Sequence, residues 1–174
     1  MRIAPTLIAA ALAAYLPLAH AQGGAPNDAQ IAHIVVTANQ VDIDAGKLAE
    51  TKGSSADVKA FGKQMVTDHT GVNQQASALA AKLKVTPEDN PTSQSLKSGG
   101  ADNVKNLQGL SGSAFDKAYI DHEIAYHEQV LGAIDKTLVP NTKNEELKAL
   151  IVKVRPAFVA HLEHAKKIKS SLKG

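Results

Sequence analysis

Tyr119-Ile-Asp-His-Glu-Ile-Ala-Tyr-His-Glu-Gln-Val-Leu131 decides how the rest of the chain is read. Ile120, Ile124, His127, Leu131, Ile134 and Leu138 recur at alternating four- and three-residue steps, which is one face of an α-helix. His127 stands in the middle of that apolar stripe, and Glu123 lies one turn before it on the same side. A carboxylate and an imidazole facing a core cost free energy unless they are paired or hold something. The spacing therefore predicts a buried helix that carries polar groups inward. What matters next is which groups the other helices bring to the same depth.

Three further stretches have helical spacing. In the first, Ile31, Ile34, Val35, Ala38, Ala45, Leu48 and Ala49 form a stripe, with Asp42 where an apolar residue is expected. Asn27 or Asp28 suits its cap, and Gly53 marks its end. A second helix is predicted from about Ala56 to Lys84, buried through Val58, Phe61, Met65, Val72, Ala76, Leu79 and Leu83. His69 falls on that stripe and Asp68 beside it. The opening stretch belongs to a third helix, from about Ala114 to Leu138, ending before Pro140-Asn141. The fourth runs from about Asn144 to Leu172 on Leu147, Leu150, Ile151, Val154, Phe158, Leu162, Ala165, Ile168 and Leu172. His161 adjoins this stripe, His164 follows one turn later, and Pro156 is expected to kink the rod, either wrapping the helix around the core or aiming His161 inward.

From Val85 to Ser113 the pattern fades. Pro87, Pro91, Gly99, Gly100, Gly109 and Gly112 punctuate it, so a long crossing connection with short helical pieces is expected. Four long helices and almost no strand signal predict an all-α, up-down-up-down four-helix bundle with the crossing segment between its two helical hairpins.

Residues 1–21 read as a cleavable secretory signal: Arg2, a short apolar run, then Ala19-His20-Ala21. Residues 22–27 form a flexible lead and residues 28–172 a single domain. A periplasmic or secreted protein is expected, with no membrane span after signal removal. The chain has no cysteine, which excludes disulfides, thiolate metal sites, a cysteine nucleophile and a lipoprotein anchor. Lysines are interspersed with acids around a net charge of +2, and aromatics make up only 3%, so no nucleic-acid partner is expected. The densest basic run, Lys166-Lys167-Ile-Lys169, reads as a helix end complementing its dipole.

Counted from the two hairpin turns at ~1.5 Å per residue, Asp42, His69, Glu123, His127 and His161 fall within roughly two turns of one another along the bundle. Imidazoles and carboxylates are ligands of zinc, iron and oxidised copper. The five residues are therefore candidate ligands for one or two divalent transition metal ions, with Asp68 and His164 as secondary candidates. A metal-free alternative is a buried Asp/Glu–His hydrogen-bond network in a structural or interaction protein. A second alternative is a metal-dependent redox or hydrolytic enzyme. Neither a Gly-x-Ser-x-Gly elbow, a phosphate loop nor a dinucleotide fingerprint occurs, and a binding module is the expected class.

The runs Asp42-Ile-Asp-Ala-Gly-Lys-Leu-Ala49 and Val58-Lys-Ala-Phe-Gly-Lys-Gln-Met-Val-Thr-Asp-His69 resemble the exported bacterial proteins grouped as domain-of-unknown-function family 4142. Phe115-Asp-Lys-Ala-Tyr-Ile-Asp121, Glu123, His127 and Arg155-Pro-Ala-Phe-Val-Ala-His-Leu162 complete the resemblance. It implies a ferritin-like fold, with Asp42, His69, His127 and His161 as the shared polar set. A role in envelope metal handling or stress tolerance is an expectation drawn from that setting. Members are often labelled outer-membrane proteins, a label the span-free helical pattern here does not support. Ferritins use Glu from two helices and Glu-x-x-His from the other two. Here Glu123 and His127 are four apart and the second and fourth helices offer histidine, so ferroxidase and iron-storage activity do not follow from the fold.

Overall fold

A computed structural model describes residues 24–172, which hold helices and no strand. The expected signal, residues 1–21, lies outside them. Helix α1 (Asp28–Lys52) starts from a reciprocal cap. Asn27 Oδ1 accepts from Gln30 N at 2.9 Å and Gln30 Oε1 accepts from Asn27 N at 3.1 Å. A three-residue turn leads to α2 (Ala56–Leu83), capped by Ser55. Helix α3 spans Pro91–Gln108 and α4 spans Gly112–Ala133. The latter continues through a π-helical segment, Ile134–Leu138, into a final turn, α5 (Val139–Asn141). Asn144 then caps α6 (Glu145–Ser171).

The expectation of short pieces between Val85 and Ser113 is corrected: α3 is one helix of 18 residues. Asn90 caps it, Pro91 occupies its first turn, and the Gly99-Gly100 pair does not break it. A Cβ on Gly100 would meet Val41 Cγ2 of α1 at 2.7 Å, so this glycine marks a close helix crossing rather than a stop. Pro156 likewise interrupts nothing, since α6 runs 27 residues through it. The carbonyl that loses its donor belongs to Val152, which is exposed and open to water.

Helix α3 also corrects the expected up-down-up-down order. At one end Asp28 accepts from the backbone N–H of Lys143 and Asn144 at 2.8 and 3.0 Å. At the other, the Asp116 carboxylate accepts from Ser54 N, Ser55 N and Ser54 Oγ at 2.6–2.8 Å. The α1–α2 turn and the α4–α6 turn therefore lie at opposite ends. The physical cause is α3, which at ~1.5 Å per residue carries the chain back along the molecule before α4 begins. Helices α1, α2, α6 and α4 touch in a closed ring, each antiparallel to its neighbours, with α3 packed outside on α1. In chain order the ring runs up, down, down, up. The depth match among the candidate ligands survives because each lies near the middle of its helix.

No described helix is long and apolar enough to cross a membrane. The core has two apolar clusters. One is built on Ile31, Ile34, Leu131, Ile151, Val154 and Phe158, the other on Phe61, Met65, Phe115, Tyr119, Ile120 and Ala165. The polar residues singled out from sequence form the layer between them.

Candidate metal centre

All five primary candidates meet in that layer. Asp42 comes from α1, His69 from α2, Glu123 and His127 from α4, and His161 from α6, each no more than 3% exposed. The three imidazoles converge, with ring centres 5.7 Å (His69–His127), 5.3 Å (His69–His161) and 5.5 Å (His127–His161) apart. One nitrogen from each lies within 4.8 Å of the other two. Asp42, Glu123 and His127 form a second group on the same 4.8 Å scale, so His127 belongs to both.

Each imidazole has one nitrogen committed and one free. His69 Nδ1–H donates to Asn39 Oδ1 at 2.7 Å, while the Asn39 amide N–H donates to Val35 O at 2.8 Å and thereby fixes which way Asn39 points. His127 Nδ1–H donates to the Glu123 carbonyl at 2.9 Å. His161 Nε2–H donates to Asp68 Oδ2 at 2.9 Å. Left over are His69 Nε2, His127 Nε2 and His161 Nδ1, all buried without a hydrogen-bond partner. Asp42 Oδ1 and both Glu123 carboxyl oxygens are orphaned as well. Metal-binding histidines are held in this way, one ring nitrogen anchored to a carboxylate or carbonyl so that the other presents its lone pair.

Burial sets the charge of the layer. It pushes the Glu123 carboxyl up to about 8 and the His127 imidazole down to about 4. Burial also raises Asp42, with the neighbouring Glu123 adding to the effect. His69 and His161 are lowered first by burial; in His69 the other two imidazoles push the same way, while Asp68 partly offsets the shift in His161. Among the described residues no lysine or arginine is buried, so none of them neutralises a charged carboxylate inside this layer. The layer is a buried set of neutral acids and imidazoles with unused lone pairs, which is what a divalent cation satisfies.

These shifts predict how the metal-free protein responds to pH. Between 4.5, the ordinary value, and about 8, folded Glu123 keeps a proton that the unfolded chain has released, so its contribution to stability falls as pH rises. Between 6.5 and about 4, folded His127 refuses a proton that the unfolded chain binds, so its contribution falls as pH drops. Above pH 6.5 only the carboxyls act. Melting temperature in chelator is expected to fall on the order of 5 °C from pH 6.5 to 8, and Glu123→Gln to flatten the slope. A flat wild-type profile would contradict the buried neutral carboxyl.

The family model described as a domain of unknown function (DUF4142) matches residues 13–168, from ahead of α1 into the last turns of α6. The chain belongs to this family. No curated protein and no solved structure matches it. In this DUF4142 member the secondary candidates stand outside the cluster. Asp68 is half-exposed and holds His161 from behind, and His164 is on the surface, where Nδ1 pairs with Gln64 Oε1 at 3.0 Å. His122 stacks on Tyr126 and His33 pairs with Asp89, and neither belongs to the two converging groups. Two contributors escaped the sequence reading. Asn39 orients His69; its signal was a polar residue one turn before Asp42 on an apolar stripe. Tyr119, fully buried with an orphaned hydroxyl, adjoins Glu123, and its aromatic spacing gave no hint of a polar neighbour.

Proposed function

We propose that this protein binds a divalent transition metal ion through His69, His127 and His161, with Asp42 and Glu123 supplying further ligands or a second, adjoining position that shares His127. The observation that carries the reading is the set of three inward-facing, unpartnered imidazole nitrogens, each fixed by an outward hydrogen bond. Zinc–nitrogen bonds of about 2.0–2.1 Å are reached by drawing the rings inward by less than ~1 Å, a side-chain adjustment. Three neutral imidazoles with oxygen donors nearby suit zinc, iron or copper. Once bound, such an ion supplies a Lewis acid, or with iron or copper an electron carrier.

The fold belongs to the same proposal: a ferritin-like four-helix bundle of α1, α2, α4 and α6. Support comes from the closed ring of contacts and from α3 as the long crossover that leaves α2 and α4 parallel. The site differs from the di-iron pattern in using one imidazole from each of three helices, so metal holding, rather than iron oxidation, is the activity proposed. The N-terminal residues 1–21 support export, which would place metal holding in the cell envelope.

Elemental analysis of untagged protein purified without chelator tests the reading. About one ion per chain is expected in wild type, and none in His69→Ala/His127→Ala, which removes a ligand from both groups. About two ions would place metal at both groups. Metal-free wild type that remains folded and takes up no added ion would favour the Asp/Glu–His network instead.

A further inference from the structure

Tyr119, Glu123 and His127 follow one another at four-residue steps on the buried face of α4. The last two belong to the second converging group, together with Asp42 of α1. Tyr119 has no task yet. It is fully buried, edge-on to Phe61 with 6.2 Å between ring centres and stacked on Phe115 at 6.3 Å, so its ring is held by packing. Its hydroxyl has no hydrogen-bond partner. Buried tyrosine hydroxyls ordinarily find one. Tyr126, two turns along the same helix, does, donating to Ala38 O at 3.1 Å. The acidic groups that act on the Tyr119 hydroxyl are Glu123 and Asp42, and both Glu123 oxygens and Asp42 Oδ1 are unpartnered too.

With this phenol included, the two halves of the layer differ in kind. His69, His127 and His161 offer three nitrogens, whereas Asp42, Glu123 and Tyr119 offer oxygens. Carboxylate and phenolate oxygens are hard, anionic donors that favour a small ion of high charge; imidazole suits divalent zinc or copper. Charge points the same way. Three metal-bound oxygens of this type carry three negative charges, and among the described residues no lysine or arginine is buried to offset any of them. A divalent ion leaves one charge uncompensated in the core, and a trivalent ion leaves none. Iron is the common biological metal with a stable trivalent state, and tyrosine is among its protein ligands.

We propose that Tyr119 is a metal ligand, and that with Glu123 and Asp42 it makes the oxygen-rich half of the layer a site for iron(III), with His127 at the shared edge. This rests on the reading of the layer as a metal centre and names the ion for its second position. The three-imidazole half is left to the divalent ion. Binding is ligand exchange: one iron–oxygen bond forms to each of the three groups, three protons leave to water, and no electron is transferred.

The test is a titration of the chelator-stripped full chain with iron(III) nitrilotriacetate, followed by visible absorption and resonance Raman. Phenolate bound to iron(III) gives a charge-transfer band in the visible, which carboxylates and imidazoles do not supply. A band that saturates at about one iron per chain is expected, with phenolate ring modes enhanced under it. Tyr119→Phe is expected to lose the band and keep zinc uptake. It removes only an unpartnered hydroxyl, so the metal-free variant should melt no lower than wild type. Tyr126→Phe should keep the band, because that hydroxyl is committed to Ala38. A band that survives in folded Tyr119→Phe, iron bound without phenolate modes, or loss of the band in Tyr126→Phe would each overturn the proposal. The wild-type Raman spectrum and Tyr126→Phe decide the matter even if Tyr119→Phe does not fold. Zinc uptake by the same batch separates the two readings. Zinc bound with no visible band sinks the iron site alone, the band with no zinc sinks the three-imidazole site alone, and neither signal sinks both.

Discussion

Adding zinc to the chelator-stripped protein is expected to raise its melting temperature by on the order of 10 °C. A ligand present at about a thousand times its dissociation constant stabilises the folded state by ~4 kcal/mol, and a chain of this length shifts by ~2–4 °C per kcal/mol. The effect should be large because the folded protein already carries the cost that the ion relieves. Three imidazole nitrogens and three carboxyl oxygens are buried without partners between two apolar clusters. In the unfolded chain the same groups are in water and gain little from the ion. His69→Ala/His127→Ala should abolish the rise. His164→Ala should leave it intact, because that histidine lies outside the cluster and pairs with Gln64. The shift should also grow from pH 6 to 8, since binding displaces protons from carboxyls that burial keeps protonated. Differential scanning fluorimetry with zinc, then with chelator added back, measures all of this. An equal rise in the double variant would remove the site from the explanation.

Gly62→Ala is expected to destabilise the protein by about 2 kcal/mol, even though alanine is the better helix former. Gly62 of α2 lies where α1 and α2 cross. A Cβ there would meet Glu50 N and Gly46 O at 2.8 Å and Ala49 Cβ at 2.7 Å. Two of these are backbone atoms that no rotamer change can move, so the helices must separate. Overpacking costs about 1–3 kcal/mol, and a rigid contact belongs at the upper end; the gain in helix propensity returns up to ~1 kcal/mol. Gly71→Ala is the matched control on the same helix. A Cβ at Gly71 meets nothing within 4 Å, so only the propensity term remains and the protein should gain up to ~1 kcal/mol. The two variants differ in sign for the same chemical change. Separation at Gly62 should also reach the site, since His69 lies two turns along α2 and its 2.7 Å bond to Asn39 spans the α1–α2 seam. Weaker zinc binding in Gly62→Ala, with Gly71→Ala unchanged, is the expected companion result. Urea unfolding of the three proteins decides the stability order, and a stabilised Gly62→Ala would mean that the crossing is looser than the contacts imply.

The inward residues were legible because helical period is a property of the chain alone. Asp42, His69 and His127 each interrupt an apolar stripe, Glu123 and His161 lie beside one, and a stripe reports a buried face before any partner is known. Helix ends could be read for the same reason: Asn27, Ser55 and Asn144 satisfy backbone groups within three residues of themselves. Gly99-Gly100 was misread because glycine has two uses. It breaks helices through backbone entropy, yet here it lets α3 approach Val41, and only the facing helix distinguishes the two.

From the sequence alone, with Asn39 and Tyr119 missed, came the all-helical class, five residues of the polar layer and the family resemblance. The order of the ring did not, because it depends on where α3 delivers the chain, and that follows from packing against α1. The second ring nitrogens of His69 and His161 were also beyond reach. Their partners, Asn39 and Asp68, lie 30 and 93 residues away in the chain. Periodicity determines which way a side chain faces on its own helix. Which atom it then meets depends on the helix packed against it, and that is fixed only when the whole core closes.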